Sequence, residues 1–163
     1  MKVEYWLLNA RDRATRMLPE MNPEQIALVK TSFAAATAEP GALASRFYAR
    51  LFAAAPELQS LFTAEPAEQQ RKLSLELLAI VERLDRVDDL VARTRDLGMR
   101  HVAYGARPAH YDVVGAALLG ALGDVLGPRC TRELAAAWRY AYNLVAEALQ
   151  QGAAEGAATR AGV

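Results

Sequence analysis

The chain is 163 residues long, with 19 basic and 19 acidic side chains and so no net charge. That length suits one domain with a sizeable core, and the balanced charge leaves no electrostatic footprint for nucleic acid or an acidic membrane surface. Two histidines and one cysteine are too few for a four-ligand zinc site, while abundant alanine and leucine, with glycine and proline as punctuation, favour an all-α domain.

The first twenty residues carry a short apolar knot, Tyr5-Trp6-Leu7-Leu8, followed by Arg11, Arg13 and Arg16. The knot is too short for the apolar region of a signal peptide and no small-residue cleavage site follows it. Residues 1–20 are therefore an unassigned extension, with Met21 an alternative start; residues 21–155 are the domain, and residues 156–163 are expected to be a disordered tail. Asn22-Pro23-Glu24-Gln25 combines an N-cap, a proline at the first helical position and a capping-box glutamine, so a helix starts there. Ile26, Val29 and Phe33 form its inward stripe, and Glu39-Pro40-Gly41 ends it.

A second helix carries Leu43, Phe47 and Leu51, with Tyr48 on an adjoining face. Pro56 opens a short helical turn holding Leu58, Leu61 and Phe62, and a loop follows from Thr63 to Glu68. A long helix over about Pro66 to Leu84 sets Leu73, Leu77, Val81 and Leu84 in register, with Gln69 one turn before Leu73. After a polar break at Asp85 to Asp89, the residues Leu90, Val91, Thr94, Leu97 and His101 trace another helix face, and Gly105 fits a left-handed C-cap. Pro108 starts the next helix, with the stripe Tyr111, Val114, Leu118, Leu122 and Val125, which Gly127-Pro128 stops. The last helix, about Thr131 to Gln151, presents Leu134, Trp138, Ala141, Val145 and Leu149, and the Gly/Ala-rich segment from Gly152 is expected to fray.

No apolar run approaches the ~20 residues of a membrane span, and no repeat, strand alternation or phosphate-binding glycine loop is present. No Ser/His/Asp or Cys/His grouping sits on a strand-turn-helix elbow. Cys130, with no His or Cys neighbour, is a plain free thiol of a reducing compartment. The chemistry therefore falls on His101, which points where its helix is apolar. One imidazole is enough when a flat macrocycle supplies the other four ligands, as haem does; otherwise His101 is a partly exposed helix-end residue. His110, in the first turn of the following helix, reads as solvent-facing.

Several pieces stand in one order at compatible spacings: Phe47-Tyr48-Ala49-Arg50-Leu51-Phe52, Pro56-Glu57-Leu58 with Phe62, Gln69 to Leu73, His101, Pro108 with His110-Tyr111, Val113-Val114-Gly115, Leu118-Leu119, and Ala137-Trp138 with Ala141-Tyr142. In these the chain, from about Met21 to Glu155, resembles the globins, most closely bacterial single-domain haemoglobins and the haem domains of flavohaemoglobins. The resemblance implies a globin-like helical sandwich of about six to seven helices around haem b (iron protoporphyrin IX), with His101 as the proximal iron ligand and Phe62 packed on the porphyrin face. It places Tyr48 and Gln69 over the iron with Leu73 facing the ligand, where a phenol and an amide N–H stabilise negative charge on a diatomic gas. Gln70 adjoins Gln69, and a slip in the preceding loop would exchange the two. The resemblance also matches Tyr111 and Glu155 to a Tyr and a Glu that hydrogen-bond the ligating histidine and strengthen its donation to iron, although Gly152-Ala153-Ala154 is a poor helix interior leading to Glu155.

The implied activity is reversible O2 binding at ferrous iron, with NO and CO as further gas ligands, and NO dioxygenation where a separate reductase re-reduces the iron; whether the chain is an enzyme stays open. A haem-based gas sensor is the second reading, invited by a docking arm containing Trp6 and the three arginines. A cofactor-free globin-like interaction module is the third, and the joint presence of His101, Phe62, Tyr48 and Gln69 argues against it. The missing targeting signals make the cytoplasm the expected location.

Overall fold

Asn22 opens the first helix as its sequence dictates. Its side chain accepts the Gln25 N–H at 2.8 Å while Gln25 Oε1 accepts the Asn22 N–H at 3.0 Å, and Pro23 takes the first position of α1 (Pro23–Ala36). In this computed structural model, which describes residues 20–161, the chain continues through α2 (Ala42–Ala54), a 3-10 helix (Pro56–Leu61), α3 (Pro66–Val81), α4 (Val87–Ala103), α5 (His110–Leu126), a 3-10 turn (Gly127–Arg129) and α6 (Arg132–Ala161). There is no strand among the described residues. The apolar knot at Tyr5 to Leu8 and the arginines Arg11, Arg13 and Arg16 lie outside them.

Three pairings build the core. The longest is α4 along α6; α2 lies along α5, and α1 crosses α6. At the α1–α6 crossing, Trp138 Nε1 donates to Ser32 Oγ at 2.8 Å, and the Phe33 ring sits 6.3 Å from the indole. Arg50 on α2 binds Asp124 on α5 through two nitrogens at 2.7 and 2.6 Å, the bidentate geometry that best fixes a register. The stretch His110–Arg129 is long and apolar enough to cross a membrane, which the sequence reading did not anticipate. Its apolar side chains are spent on the protein interior instead: Ala117, Leu118, Ala121, Leu122 and Leu126 are all buried.

The last helix departs most from expectation. Instead of fraying after Gln151, α6 runs through Gly152-Ala153-Ala154 to Ala161, across most of the segment expected to be a disordered tail. The reason is tertiary: α4 lies against this segment, and helices in proteins draw most of their stability from such packing rather than from propensity.

The site is set by α3 and α4, which the short segment 82–86 joins. Arg93 ties them, its guanidinium donating to both carboxylate oxygens of Glu76 at 3.0 Å. Beyond that tie the two helices do not pack along each other. Their apolar stripes record the separation. Near the junction Val81, Leu84, Leu90, Val91 and Thr94 are buried, whereas further along Leu73 and Leu77 on α3, and Leu97 and His101 on α4, are only half-buried. A stripe of leucines is left incompletely covered where Gln69 and His101 lie.

Candidate functional site

His101 sits in the last turn of α4. Its Nδ1 is 2.9 Å from the Leu97 carbonyl oxygen; a carbonyl can only accept, so in the neutral ring Nδ1 is the protonated nitrogen and Nε2 keeps its lone pair. The turn is locked from the other side as well. Gly105, at φ 87°, adopts the left-handed conformation expected of it, so that the Ala106 N–H reaches the His101 carbonyl at 3.1 Å and the Gly105 N–H reaches Val102 at 3.2 Å. Both bonds belong to a Schellman cap. Leu61 packs over Gly105, which brings the Phe62 segment to the end of the histidine helix.

The second histidine has a local task. His110 Nδ1 accepts the Arg107 N–H at 3.1 Å, and Tyr111 N–H bonds the Pro108 carbonyl at 3.2 Å. Pro108 therefore forms the turn before α5, which starts at His110, two residues later than expected. His110 is half-buried, and its ring closes that turn at the protein surface.

Tyr48 and Gln69 meet. The Tyr48 hydroxyl donates to the Gln69 main-chain carbonyl at 3.3 Å, and its ring packs among Phe47, Phe52 and Phe62 at centroid distances of 5.1, 5.7 and 5.4 Å. Burial in this cluster pushes the phenol up to about 12, so it is a protonated donor across the physiological range. The side chain of Gln70 lies over Gly41 at the start of α2, while Gln69 meets Tyr48 through its main-chain carbonyl. Leu73 follows one turn later, half-buried.

The expected support for the histidine from Tyr111 and Glu155 is not formed. Glu155 is ion-paired with Arg95 on α4, and the imidazole N–H expected to reach a carboxylate is taken by the Leu97 carbonyl. The Tyr111 hydroxyl is buried with no hydrogen-bond partner, and burial raises its pKa; Tyr142 donates to the Tyr111 carbonyl, not to its hydroxyl. The roles of Leu97 and Arg95 were invisible in the sequence, because one acts through its main chain and the other through its position against α6. No cluster of metal-binding side chains occurs among the described residues, and Cys130 is half-buried with no bearing on the site. An open cleft of about 490 Å³ between α5 and α6, lined by Tyr111, Tyr142, Glu147 and Gln151 among others, includes neither His101 nor Tyr48.

A helical protein with one imidazole nitrogen unbonded, half-covered apolar stripes beside it and a half-buried phenol against a glutamine carbonyl has the make-up of a haem-binding helical domain. Comparison with known proteins gives the particular family: residues 45–149 match the Globin family, and the chain belongs to it. It is 36% identical over 132 residues to the flavohemoprotein of Deinococcus radiodurans, covering 78% of this chain and 32% of that protein. The flavohemoprotein of Bordetella pertussis is 34% identical over 132 residues, with 79% and 33% covered. The chain thus spans about a third of the length of these relatives. Among solved structures, an engineered carbene transferase from Rhodothermus marinus superposes with a TM-score of 0.77 at 32% identity, over 86% of this chain and 99% of that one. A bacterial globin from Campylobacter jejuni gives 0.73 at 25% identity, over 82% and 97%.

The residues fit a haem. The group would need one nitrogen ligand, which His101 Nε2 could give, and an apolar slot, which the incompletely covered stripes at Leu73, Leu77 and Leu97 would supply. A donor set of a single neutral imidazole would fit no other common iron or zinc site.

Proposed function

We propose that this globin binds haem b through His101 and reversibly takes up O2, with NO and CO as competing ligands. Bound haem supplies a ferrous iron with one position open to a diatomic gas. The observation that carries the proposal is the state of His101: Nδ1 is committed to the Leu97 carbonyl at 2.9 Å, and the ring stands on the one stripe of α4 that loses its cover. Tyr48, kept protonated by burial, and the amide of Gln69 would supply donors for a bound atom that gathers negative charge, where fixed dipoles act more strongly than water does. Phe62 and Leu73 exclude water from the slot.

NO dioxygenation extends the same arrangement. One NO and one O2 combine to nitrate with the uptake of one electron, which a separate reductase supplies; the likeness to proteins named flavohemoprotein supports this extension. We place the protein in the cytoplasm.

The test is the absorption spectrum of the wild type and of His101→Ala, as isolated, reduced, and reduced under CO. A sharp Soret band that shifts with CO, and is lost or altered in the variant, is the expected result. A colourless protein that takes up no added haemin overturns the cofactor. With a reductase and NADH present, nitrate formation no faster than with free haem removes the dioxygenase role and leaves gas binding.

A further inference from the structure

The helix that carries His101 meets α6 main chain to main chain. A methyl group on Gly98 would overlap the Leu149 carbonyl oxygen and lie 3.1 Å from the Ala153 nitrogen; one on Gly152 would overlap the Arg95 carbonyl oxygen, with Arg95 Cα 2.7 Å away. Each helix therefore places a glycine at the crossing, and each glycine faces the other helix's backbone. One turn further on, the Met99 side chain lies 3.3 Å from where a Cβ on Gly156 would stand. So close an approach allows Cα–H to carbonyl contacts and admits no side chain. Arg95, whose side chain is only 15% exposed, adds an ion pair to Glu155 across the same interface. Gly98, Arg95 and Leu149 lie within residues 45–149, which match the globin family, whereas Gly152, Ala153, Glu155 and Gly156 lie past them, so only one side of the crossing falls within that match.

We propose that this crossing is a clamp that sets the position of the His101 imidazole, with Gly98, Gly152, Arg95 and Glu155 as positioning residues for iron ligation; the inference rests on the reading of His101 as the haem ligand. The path is short. Gly98 follows Leu97, whose carbonyl holds Nδ1 at 2.9 Å, and a shift of α4 at the crossing moves that carbonyl and turns the ring. Towards the other end of the turn the Schellman cap at Gly105 holds the His101 carbonyl. The imidazole is gripped between the two.

The test compares Gly152→Ala with Gly123→Ala, a helical glycine with nothing within 4 Å of its Cβ position. Two readouts are taken: the iron–histidine stretching band of the reduced haem protein, and amide hydrogen exchange of the haem-free chain. Gly152→Ala is expected to displace the band and to speed exchange in residues 87–103 by about tenfold or more relative to residues 110–126, with Gly123→Ala unchanged in both. Wild-type behaviour of Gly152→Ala in both readouts, or a band that stays in place while exchange rises uniformly over the chain, overturns the clamp. Should Gly152→Ala not fold, Glu155→Gln and Arg95→Gln decide. If the clamp is right, each displaces the band and the double variant equals the singles; an unmoved band overturns it. If the wild type binds no haem, the proposed function fails first, and the exchange comparison still judges the mechanical half: loosening confined to residues 87–103 upholds it, and uniform or absent loosening overturns it.

Discussion

Tyr48 owes its properties to its neighbours. Three aromatic rings and one carbonyl surround the phenol, and burial pushes it up to about 12 from its ordinary value of 10.0. A raised pKa means that the fold favours the protonated form, so this contribution to stability is whole below about pH 10 and falls away as pH rises through about 12. Urea unfolding followed from pH 9 upward should show that loss, and Tyr48→Phe should flatten it. In the haem-loaded protein the same substitution should speed O2 dissociation by roughly 10- to 100-fold, the effect of removing one hydrogen bond to a charged group. Gln69→Leu should act in the same direction, and Gln70→Leu should leave the rate within about twofold, since Gln70 lies over Gly41. That Tyr48 and Gln69 lie close together followed from the resemblance, whereas the contact itself, a phenol donating to a main-chain carbonyl, leaves no mark on residue type. The fate of Glu155 was not, because counting along a helix gives a residue's height but leaves its angle to small errors in register, and at 3.6 residues per turn one residue's slip turns a side chain by about 100°.

At the scale of elements, caps and stripes decided most of the outcome. The capping box at Asn22, the Gly105 cap and the stripe Leu134, Trp138, Ala141, Val145 and Leu149 all stand as their residue types require. The end of α6 was illegible for a physical reason: glycine is a poor helix former when nothing touches it, and Gly152 touches a helix whose sequence partner lies more than fifty residues earlier. Long-range polar contacts were equally hidden. Trp138 Nε1 and Ser32 Oγ are 106 residues apart in sequence and 2.8 Å apart in space. Ser32→Ala should leave the indole N–H buried without a partner and destabilise the fold by about 1–3 kcal/mol; in calorimetry this appears as a midpoint lower by roughly 2–4 °C per kcal/mol in a chain of this size.

For the molecule as a whole, the uncovered stripes of α3 and α4 couple folding to the cofactor. A ligand that binds only the folded chain raises its unfolding midpoint by mass action. Titration with haemin should therefore lift the midpoint of the wild type progressively, and His101→Ala should blunt that rise. A chain beginning at Met21 should retain the gas affinity of the full sequence, because Met21 is buried at 6% exposure and the Asn22 cap survives the cut; a changed affinity would make the preceding arm part of the response. The helical class could be read from composition and stripes alone. The gap between α3 and α4 could not, since a stripe of leucines looks the same whether protein or cofactor covers it.

The pairing of α4 with α6 also imposes an order on biosynthesis. Helix α2 finds its main partner, α5, as soon as that segment leaves the ribosome, but α4 must wait for α6, and Gly152 and Glu155 lie near that helix's end. The histidine helix is thus among the last to dock during translation, and a nascent chain stalled before residue 152 would carry His101 without the surface that holds it still.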